Sequence, residues 1–295
     1  IWILFLSLLF LKCNADISKD IKLIVFEKRK KFTINDSLKF NISNKKNHPI
    51  DSIIFRLDGE QVKSGVALRN KSLGFYKLSA SVYAYGKKLN YDQEISIVSA
   101  LKPKLFTYTI INEYPHDKTA YTQGLEFYRD TLYESTGIRG KSSLRKVNFR
   151  TGEVYKRIAL DKVYFGEGIS ILNDRLYQLT WRGNMGFEYD LDQFKMERSF
   201  AYQESKEGWG LCNDGEKLYK SDGSHQIWIL DPKNQKEIGK IQVMTNNNAL
   251  KKINELEWVN GKIYANTYQF KKDVGIIINP NSGAVEGVID FTGLK

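Results

Sequence analysis

The sequence contains few of the residues that build metal sites and disulfide frameworks. Its 295 residues include three histidines and two cysteines. His48, His116 and His225 lie far apart and lack the spacing of metal ligands, which argues against a catalytic zinc site. Cys13 lies in the apolar N-terminal segment, so processing would leave Cys212 alone, and a single cysteine forms no disulfide framework. We therefore expect no metal and no cofactor, and we expect Cys212 to fill a core.

The sequence also has no apolar run long enough to span a bilayer. The first eleven residues, IWILFLSLLFL, are apolar apart from Ser7, which is typical of a signal peptide. We predict that residues 1–15 are a signal peptide or lipoprotein signal, and that the chain is exported. Cys13 is placed for lipidation, but Lys12 stands where lipoprotein signals have a small residue, so a lipid anchor and simple secretion stay open. Because the sequence begins with Ile1, we expect a basic segment to precede it.

Acidic residues are too few to balance the basic ones. Lysine and arginine number 45 against 34 aspartates and glutamates, a formal charge of +11. This surplus would favour acidic surfaces. The lysines are scattered over turns and strand edges, where they discourage edge pairing, and no recognisable nucleic-acid module accompanies them. We therefore expect no nucleic-acid partner.

The first domain that we predict covers residues 16–103. It holds short alternating runs such as IKLIVFE and KLSASVYAYG, with turn signals at Asp58-Gly59 and Tyr85-Gly86. Strands of this length and spacing predict a small β-sandwich of immunoglobulin type. Nothing in it suggests chemistry, so we expect a spacer or adhesion module. A change of pattern near residues 100–105 predicts a second domain, residues 104–295.

The second domain contains a repeat. The four copies begin 44, 42 and 45 residues apart, at Gln123, Glu167, Trp209 and Asn254. Each copy has a turn signal: Arg129-Asp130, Asn173-Asp174, Asp214-Gly215 and Asn260-Gly261. Each then has an apolar-tyrosine pair: Leu132-Tyr133, Leu176-Tyr177, Leu218-Tyr219 and Ile263-Tyr264. Three to four strands in a unit of this length are typical of a β-propeller blade.

Two positions of the repeat carry unlike residues in each copy, although the surrounding positions stay alike. The first position holds Gln123, Glu167, Trp209 and Asn254, and the second holds Gly137, Trp181, Gly223 and Tyr268. The innermost strands of a propeller line its channel, so equivalent positions of successive blades meet there. The pattern indicates a site assembled from several blades, with the glycines leaving room for a ligand. The alternative is that these residues merely plug the channel.

Several segments resemble the glutaminyl-peptide cyclotransferases of the plant and bacterial type: HDKTAYTQGLEF, YFGEGISILNDRLYQLTW, EGWGLCNDGEKLYKSDGS and LNELEWVNGKIYANTYQ. The resemblance runs from about Tyr108 to the end of the chain. It implies an all-β, five-bladed propeller that cyclises the N-terminal glutamine of peptides or proteins to pyroglutamate with release of ammonia. By matching motif, it implies a channel site made of Tyr121, Gln123, Phe165, Glu167, Trp181, Trp209, Asn254 and Tyr268.

The chain departs from the family pattern in three places. Tyr121 stands where phenylalanine is usual, and Tyr268 stands where tryptophan is usual. The family's fifth blade, which contributes a channel lysine, has no counterpart up to Lys295, so we expect the natural chain to extend by one blade of roughly 40–45 residues. The strand-like segment Leu105–Tyr114 has no partner in the repeats, and we predict that it closes this fifth blade as its outer strand.

The chemistry that the resemblance implies explains a lone acid in an apolar channel. Cyclisation needs a neutral α-amine and a proton for the departing ammonia. Burial among Phe165, Trp181 and Trp209 would raise the pKa of Glu167, so that this one group could move both protons. The amides of Gln123 and Asn254, or the N–H of a tryptophan, are candidate donors to the developing oxyanion. No nucleophilic side chain and no metal is needed.

Two rival functions stay open at this point. One is a non-catalytic propeller at the cell surface that binds peptide or glycan. The other is a lactonase-like propeller, but such enzymes hold a metal with channel carboxylates, and the first variable position offers only Glu167. The loop STGIRGKSS ends like a phosphate-binding loop, but Ser135 replaces the first glycine that such a loop needs and a strand follows, so we predict a blade loop. We expect the protein to act as a monomer.

Overall fold

The computed structural model describes residues 17–268 and 273–294, which are almost entirely strands, turns and loops. The predicted signal segment, residues 1–15 with Cys13, lies outside the described residues. The chain forms two compact units. Of the described residues, the first unit comprises those up to Phe32 together with Asp36–Leu68 and Tyr76–Ile95; the second comprises Thr33–Asn35, Arg69–Phe75 and those from Ser96 onwards. In the described part of the chain, no helix has the length and hydrophobicity needed to cross a membrane.

The first unit is built from strands of 2 to 11 residues that follow a 3-10 helix, Ile17–Lys19. The strands are β1 (Ile21–Val25), β2 (Lys31–Phe32), β3 (Ser37–Leu38), β4 (Phe40–Asn44), β5 (Ser52–Leu57), β6 (Glu60–Gln61), β7 (Val66–Ala67), β8 (Gly74–Ala84) and β9 (Lys87–Ile97). They form a five-stranded sheet in the order β2-β9-β8-β5-β6 and two pairs, β1-β4 and β3-β7. The predicted turns at Asp58-Gly59 and Tyr85-Gly86 are confirmed, because all four residues adopt the positive φ that tight hairpins require. The sandwich topology and the boundary at residue 103 stay predictions.

The second unit consists of four consecutive antiparallel meanders. Their strands are β11 (Thr122–Tyr128), β12 (Thr131–Thr136), β13 (Ser143–Val147), β14 (Val154–Ala159); β15 (Gly166–Leu172), β16 (Arg175–Thr180), β17 (Met185–Asp190), β18 (Lys195–Ala201); β19 (Leu211–Asn213), β20 (Leu218–Ser221), β21 (Gln226–Leu230), β22 (Glu237–Gln242); and β23 (Ile253–Val259), β24 (Lys262–Thr267), β25 (Val274–Ile278), β26 (Val285–Asp290). The predicted turns join the first two strands of each sheet, and seven of their eight residues adopt positive φ. Asp214 is the exception. One sheet per copy confirms the repeat and the propeller architecture, whereas the count of five blades stays a prediction.

Apolar side chains pack successive sheets face to face. Leu172 and Tyr177 of the second sheet share a buried cluster with Leu218 and Trp228 of the third. Cys212 belongs to the next cluster, between the third and fourth sheets, where it is a free and buried thiol as predicted. The first strands of neighbouring sheets, β11, β15, β19 and β23, contact one another in series. They are therefore the inner strands of the propeller.

Glycines allow these inner strands to approach each other closely. A Cβ atom added to Gly124 would lie 2.9 Å from Cα of Gly168, and one added to Gly168 would lie 2.7 Å from Cα of Gly210. A Cβ on Gly210 would lie 2.6 Å from Cα of Glu255. Any side chain here would meet backbone, which cannot move aside. The glycine that follows the variable residue in the first three repeats is thus required for packing between blades.

The prediction for Leu105–Tyr114 is wrong for most of its length. The structure has a strand, β10, only at Lys104–Phe106, and it pairs parallel with β26 at the edge of the fourth sheet. Residues 107–121 contain no strand. The segment alternates well enough to form a strand, but among the described residues no further sheet edge supplies backbone partners for it, so hydrogen bonding ends where the contact with β26 ends.

Candidate active site

The variable residues of the inner strands lie where regular strand pairing is interrupted. The register between β11 and β12 shifts at Gln123, and that between β15 and β16 shifts between Gly166 and Ile169, around Glu167. A third shift, between β23 and β24, surrounds Asn254. Bulges of this kind re-aim a side chain that regular pleating would place elsewhere. Trp209 precedes β19 and donates its backbone N–H to the carbonyl of Ser221 at 3.0 Å.

All eight residues predicted for the site line one cavity of about 240 Å³. Its lining consists of Tyr121, Gln123, Ile138, Phe165, Glu167, Trp181, Trp209, Asn254 and Tyr268. Ile138 was not predicted. The cavity therefore combines one acid and two amides with walls that are otherwise apolar or aromatic, a combination typical of small-molecule sites.

The aromatic rings form two groups around this cavity. Phe165 contacts Tyr121 and Trp181 edge to face, with ring centroids 6.1 Å and 5.7 Å apart. Trp209 contacts Tyr268 in the same way, at 5.7 Å. Tyr121 and Tyr268 are the most exposed of these residues, at 47% and 42%. They stand at the mouth of the cavity, while the other rings enclose its interior.

The two glycines of the second variable position make room for these rings and not directly for a ligand. A Cβ on Gly137 would lie 2.4 Å from the Phe165 ring, and a Cβ on Gly223 would lie 2.5 Å from the Trp209 ring. The prediction that these glycines leave space for a ligand is therefore wrong in its detail. They leave space beside the backbone for the rings of Phe165 and Trp209, which form part of the cavity wall.

We expect Gly137→Ala to weaken substrate binding. The added methyl overlaps the end of the Phe165 ring, so the ring must turn, either into the cavity or away from Trp181. We expect KM for a substrate that occupies this cavity to rise roughly ten-fold, about 1.4 kcal/mol, with a smaller change in kcat. Steady-state kinetics at matched fractions of folded protein measure this, and an unchanged KM would show that the Phe165 ring does not shape the site.

Glu167 is nearly enclosed, with 6% of its surface exposed. Burial raises the pKa of its carboxyl group to about 9, and the negative charge of Glu207 adds to the effect. The predicted direction of the shift is thus confirmed, and burial is its main cause, because loss of water disfavours the charged form. Among the residues that the structure describes, no side chain donates a hydrogen bond to this carboxyl group, which leaves it available to a ligand.

The tryptophan N–H groups are not free to bind an oxyanion. Nε1 of Trp181 and Nε1 of Trp209 each lie 2.8 Å from the same oxygen of Glu207, Oε2. An indole has a single N–H donor, so both are already used. That part of the prediction is wrong. The side-chain amides of Gln123 and Asn254 make no hydrogen bond within residues 17–268 and 273–294, and they remain candidate donors.

Sequence analysis missed Ile138 and Glu207. Ile138 lies in the loop STGIRGKSS, which is a blade loop as predicted, and has a φ of 73°, which is rare for a β-branched residue. Glu207 lies two residues before Trp209 in the segment EGWG. A charged residue beside a predicted site tryptophan was the available signal, but its contact with Trp181, 26 positions away, is a property of the folded chain.

The three histidines have separate interactions. His48 lies 2.9 Å from Asp20, His116 lies 2.8 Å from Glu134, and His225 packs edge to face on Phe75. In the described ranges, no group of three or more histidine, cysteine, aspartate or glutamate side chains could hold a metal ion. The candidate site is therefore the aromatic cavity around Glu167.

The fold and the cavity define a β-propeller whose inner strands assemble one acid, two amides and a set of aromatic rings. Comparison with known proteins identifies the family. Residues 82–295 match the glutamine cyclotransferase family model. A glutaminyl-peptide cyclotransferase of Arabidopsis thaliana is 38% identical over 220 residues, which cover 74% of this chain and 68% of that protein. The crystal structure of glutaminyl cyclase from Myxococcus xanthus superposes with a TM-score of 0.59 at 35% identity, covering 64% of this chain and 78% of that one. The chain belongs to the glutamine cyclotransferase family, and it is an enzyme.

Proposed function

We propose that the protein converts the N-terminal glutamine of peptides or proteins to pyroglutamate and releases ammonia, with Glu167 as the group that moves the protons. The observation that carries the proposal is the position of Glu167. Its carboxyl group is buried in a small aromatic cavity, has a pKa raised to about 9, and shares the cavity with two amides that have no other partner among the described residues.

The proton balance of the reaction suits a single buried acid. In the productive complex Glu167 is protonated, as burial favours, and the α-amine is neutral, so a substrate that arrives as an ammonium first loses its excess proton to solvent. The neutral amine then attacks the γ-carboxamide carbon. The C–N bond to the ring nitrogen forms, and negative charge develops on the carbonyl oxygen. Protonated Glu167 then gives its proton to the leaving nitrogen as the second C–N bond breaks, and the carboxylate takes up the excess proton of the ring nitrogen. Ammonia leaves, and Glu167 is again protonated, as burial favours in the empty site.

The remaining cavity residues act through position and polarity. Gln123 and Asn254 can donate amide N–H groups to the developing oxyanion, a role that calls for fixed neutral donors. The rings of Phe165, Trp181 and Trp209 exclude water and hold the glutamine side chain folded back toward its own amine. Because the attack is intramolecular, selection of that rotamer alone supplies part of the rate enhancement.

The proposed function is tested with a glutamine-initiated peptide and the same peptide acetylated at its α-amine. We expect ammonia release and pyroglutamate formation, measured by coupled assay and mass spectrometry, from the free peptide only. The acetylated peptide cannot attack its own side chain. Saturable binding of the free peptide without turnover would contradict the proposal and support the non-catalytic propeller instead.

The rate should depend on pH in a predictable way. The productive complex holds one proton between Glu167 and the α-amine. The free amine has a pKa of roughly 7.7–8.0, and free Glu167 has a pKa of about 9. Below the first value both groups carry a proton, and above the second neither does. We therefore expect kcat/KM to follow a bell with its maximum between about pH 8 and 9. A maximum near pH 5 would contradict a raised pKa of Glu167.

We also propose that the chain is exported, with Cys13 either lipidated or removed with the signal segment. The apolar N-terminal run supports this proposal. Metabolic labelling with a fatty acid, compared between wild type and Cys13→Ala, separates the two alternatives. Retention of an uncleaved chain inside the cell would contradict export itself.

A further inference from the structure

Glu207 joins the two tryptophans of the cavity. Its Oε2 accepts the indole N–H of Trp181 and that of Trp209, both at 2.8 Å. The tryptophans come from different blades: Trp181 follows the last residue of β16, and Trp209 precedes β19. One carboxylate oxygen therefore connects the second and third blades at the wall of the cavity.

Glu207 is itself held in place from the other side. Nε of Arg182 donates to Oε1 at 3.1 Å, and the same guanidinium lies 4.1 Å from the centre of the Trp181 ring. The backbone N–H of Gly208 reaches the carbonyls of Thr180 and Trp181, each at 3.2 Å. The carboxylate is thus anchored both through its second oxygen and through the chain that carries it. Its side chain keeps 27% of its surface exposed.

These contacts constrain the rings more than packing alone would. An indole can swing about two side-chain torsions, and a hydrogen bond to a charged acceptor, which is about twice as strong as a neutral one, selects one orientation. With both indoles bound to one oxygen, their relative orientation is also set. Both indoles line the cavity, and their N–H groups are bound to Glu207, which is not among the lining residues.

We propose that Glu207 is a positioning residue for cyclisation: it holds Trp181 and Trp209 in the orientation that folds the substrate glutamine back on its amine. This role rests on the proposed function. An ordinary surface ion pair with Arg182 would contribute little to stability and nothing to the reaction. The hydrogen bonds from both indoles distinguish a positioning role from a surface ion pair, because an ion pair with Arg182 does not require them.

Three variants test this role. Glu207→Ala removes both acceptors, and Glu207→Gln keeps the shape and one acceptor oxygen without the charge. Glu204→Ala is the matched control, since Glu204 lies on the same segment, is 71% exposed and pairs with Lys240 at 3.3 Å, away from the cavity. We expect kcat/KM to fall roughly 10- to 100-fold in Glu207→Ala, since small misplacements near reacting groups have effects of this size. The kcat/KM of Glu207→Gln should lie between those of Glu207→Ala and wild type, and the kcat/KM of Glu204→Ala should match wild type.

Two further readouts separate positioning from loss of structure. In the protein without peptide, the indole N–H resonances of Trp181 and Trp209 should shift in Glu207→Ala and stay in place in Glu204→Ala. In Glu207→Gln the alkaline limb of the pH profile should move to lower pH, because Glu167 loses a negative neighbour. The other groups coupled to Glu167, Glu255 and the phenol of Tyr202, are unchanged in that variant.

The outcomes distinguish this inference from the proposed function. No turnover by the wild-type enzyme on a glutamine-initiated peptide would overturn the proposed function and this role together. Wild-type turnover with an unchanged kcat/KM in Glu207→Ala would overturn the role of Glu207 alone. The same conclusion follows if the loss of activity in both Glu207 variants only tracks the loss of folded protein.

Discussion

Glu167→Gln should lower kcat for pyroglutamate formation by about 10²- to 10⁴-fold, the range that a positioned acid–base group contributes, while the protein stays folded. Glutamine is close to glutamate in shape, so the cavity keeps its walls, but an amide neither accepts a proton from the substrate amine nor delivers one to ammonia. Peptide binding should persist. Release of ammonia and binding affinity, measured on the same preparation, check both parts of the expectation.

The same variant should be more stable than wild type at alkaline pH. The Glu167 carboxyl has a folded-state pKa of about 9 against an ordinary value of about 4.3 in the unfolded chain. Below about pH 4.3 the carboxyl group is neutral in both the folded and the unfolded state, so it does not change the free energy of unfolding. As the pH rises toward 9 the folded state must either keep the proton or bury a charge, so stability falls. Glutamine has no such cost.

We therefore expect Tm of Glu167→Gln and wild type to agree near pH 4 and to diverge as the pH rises. At pH 8 the variant should be more stable by at least about 1 kcal/mol, which is about 2–4 °C for a domain of this size. Near-wild-type turnover in this variant would remove Glu167 from the mechanism. Equal Tm values at pH 8 would show that the carboxyl group is more hydrated than its burial indicates.

Gly210→Ala should destabilise the propeller by about 3 kcal/mol or more. Gly210 lies on the inner face where the third blade meets the fourth, and an added methyl would lie 2.6 Å from Cα of Glu255 and 2.7 Å from the backbone nitrogen of Leu256. Backbone cannot turn away as a side chain can, so the two strands must separate. Separation also moves Asn254 and Trp209, and activity should fall with stability.

Gly239→Ala is the matched control for this prediction. Gly239 lies in β22, and its added methyl would find its nearest neighbour, Cδ1 of Ile229, at 3.7 Å, an ordinary contact distance. Alanine also loses less backbone entropy on folding than glycine. Thermal unfolding should show Gly239→Ala at or slightly above wild type and Gly210→Ala well below. A small effect of Gly210→Ala would mean that the inner strands can part without loss of the fold.

Local features of the fold were predictable because they depend on residues close together in sequence. Turn pairs such as Asn173-Asp174 carry the positive φ that their composition favours. The 42–45-residue spacing predicted one sheet per copy, and each copy forms a four-stranded meander. The prediction for Leu105–Tyr114 was wrong because it depends on residues far apart in sequence. An alternating segment becomes a strand only where a distant sheet edge pairs with it, and the sequence does not reveal that edge.

The membership of the candidate site was also largely predictable. Residues that differ at one position of a repeat meet at the inner strands, and Gln123, Glu167, Trp209 and Asn254 line one cavity. Their orientation was not predictable, since it depends on bulges that arise where twisted strands pack. The purpose of Gly137 was mistaken as well, because the ring that needs its space, Phe165, belongs to the next copy of the repeat.

By itself, the sequence determined the all-β class, the repeat, eight of the nine residues that line the cavity, and the resemblance that the family comparison bore out. Only the tertiary structure decided that Glu207 binds both indole N–H groups, that Ile138 lines the cavity, and that the glycines of the inner strands serve contact between blades. The physical reason is the separation in sequence of the residues that interact. Turns and strands follow from interactions between near neighbours in the chain, whereas hydrogen bonds and close contacts between blades exist only after distant segments have packed together.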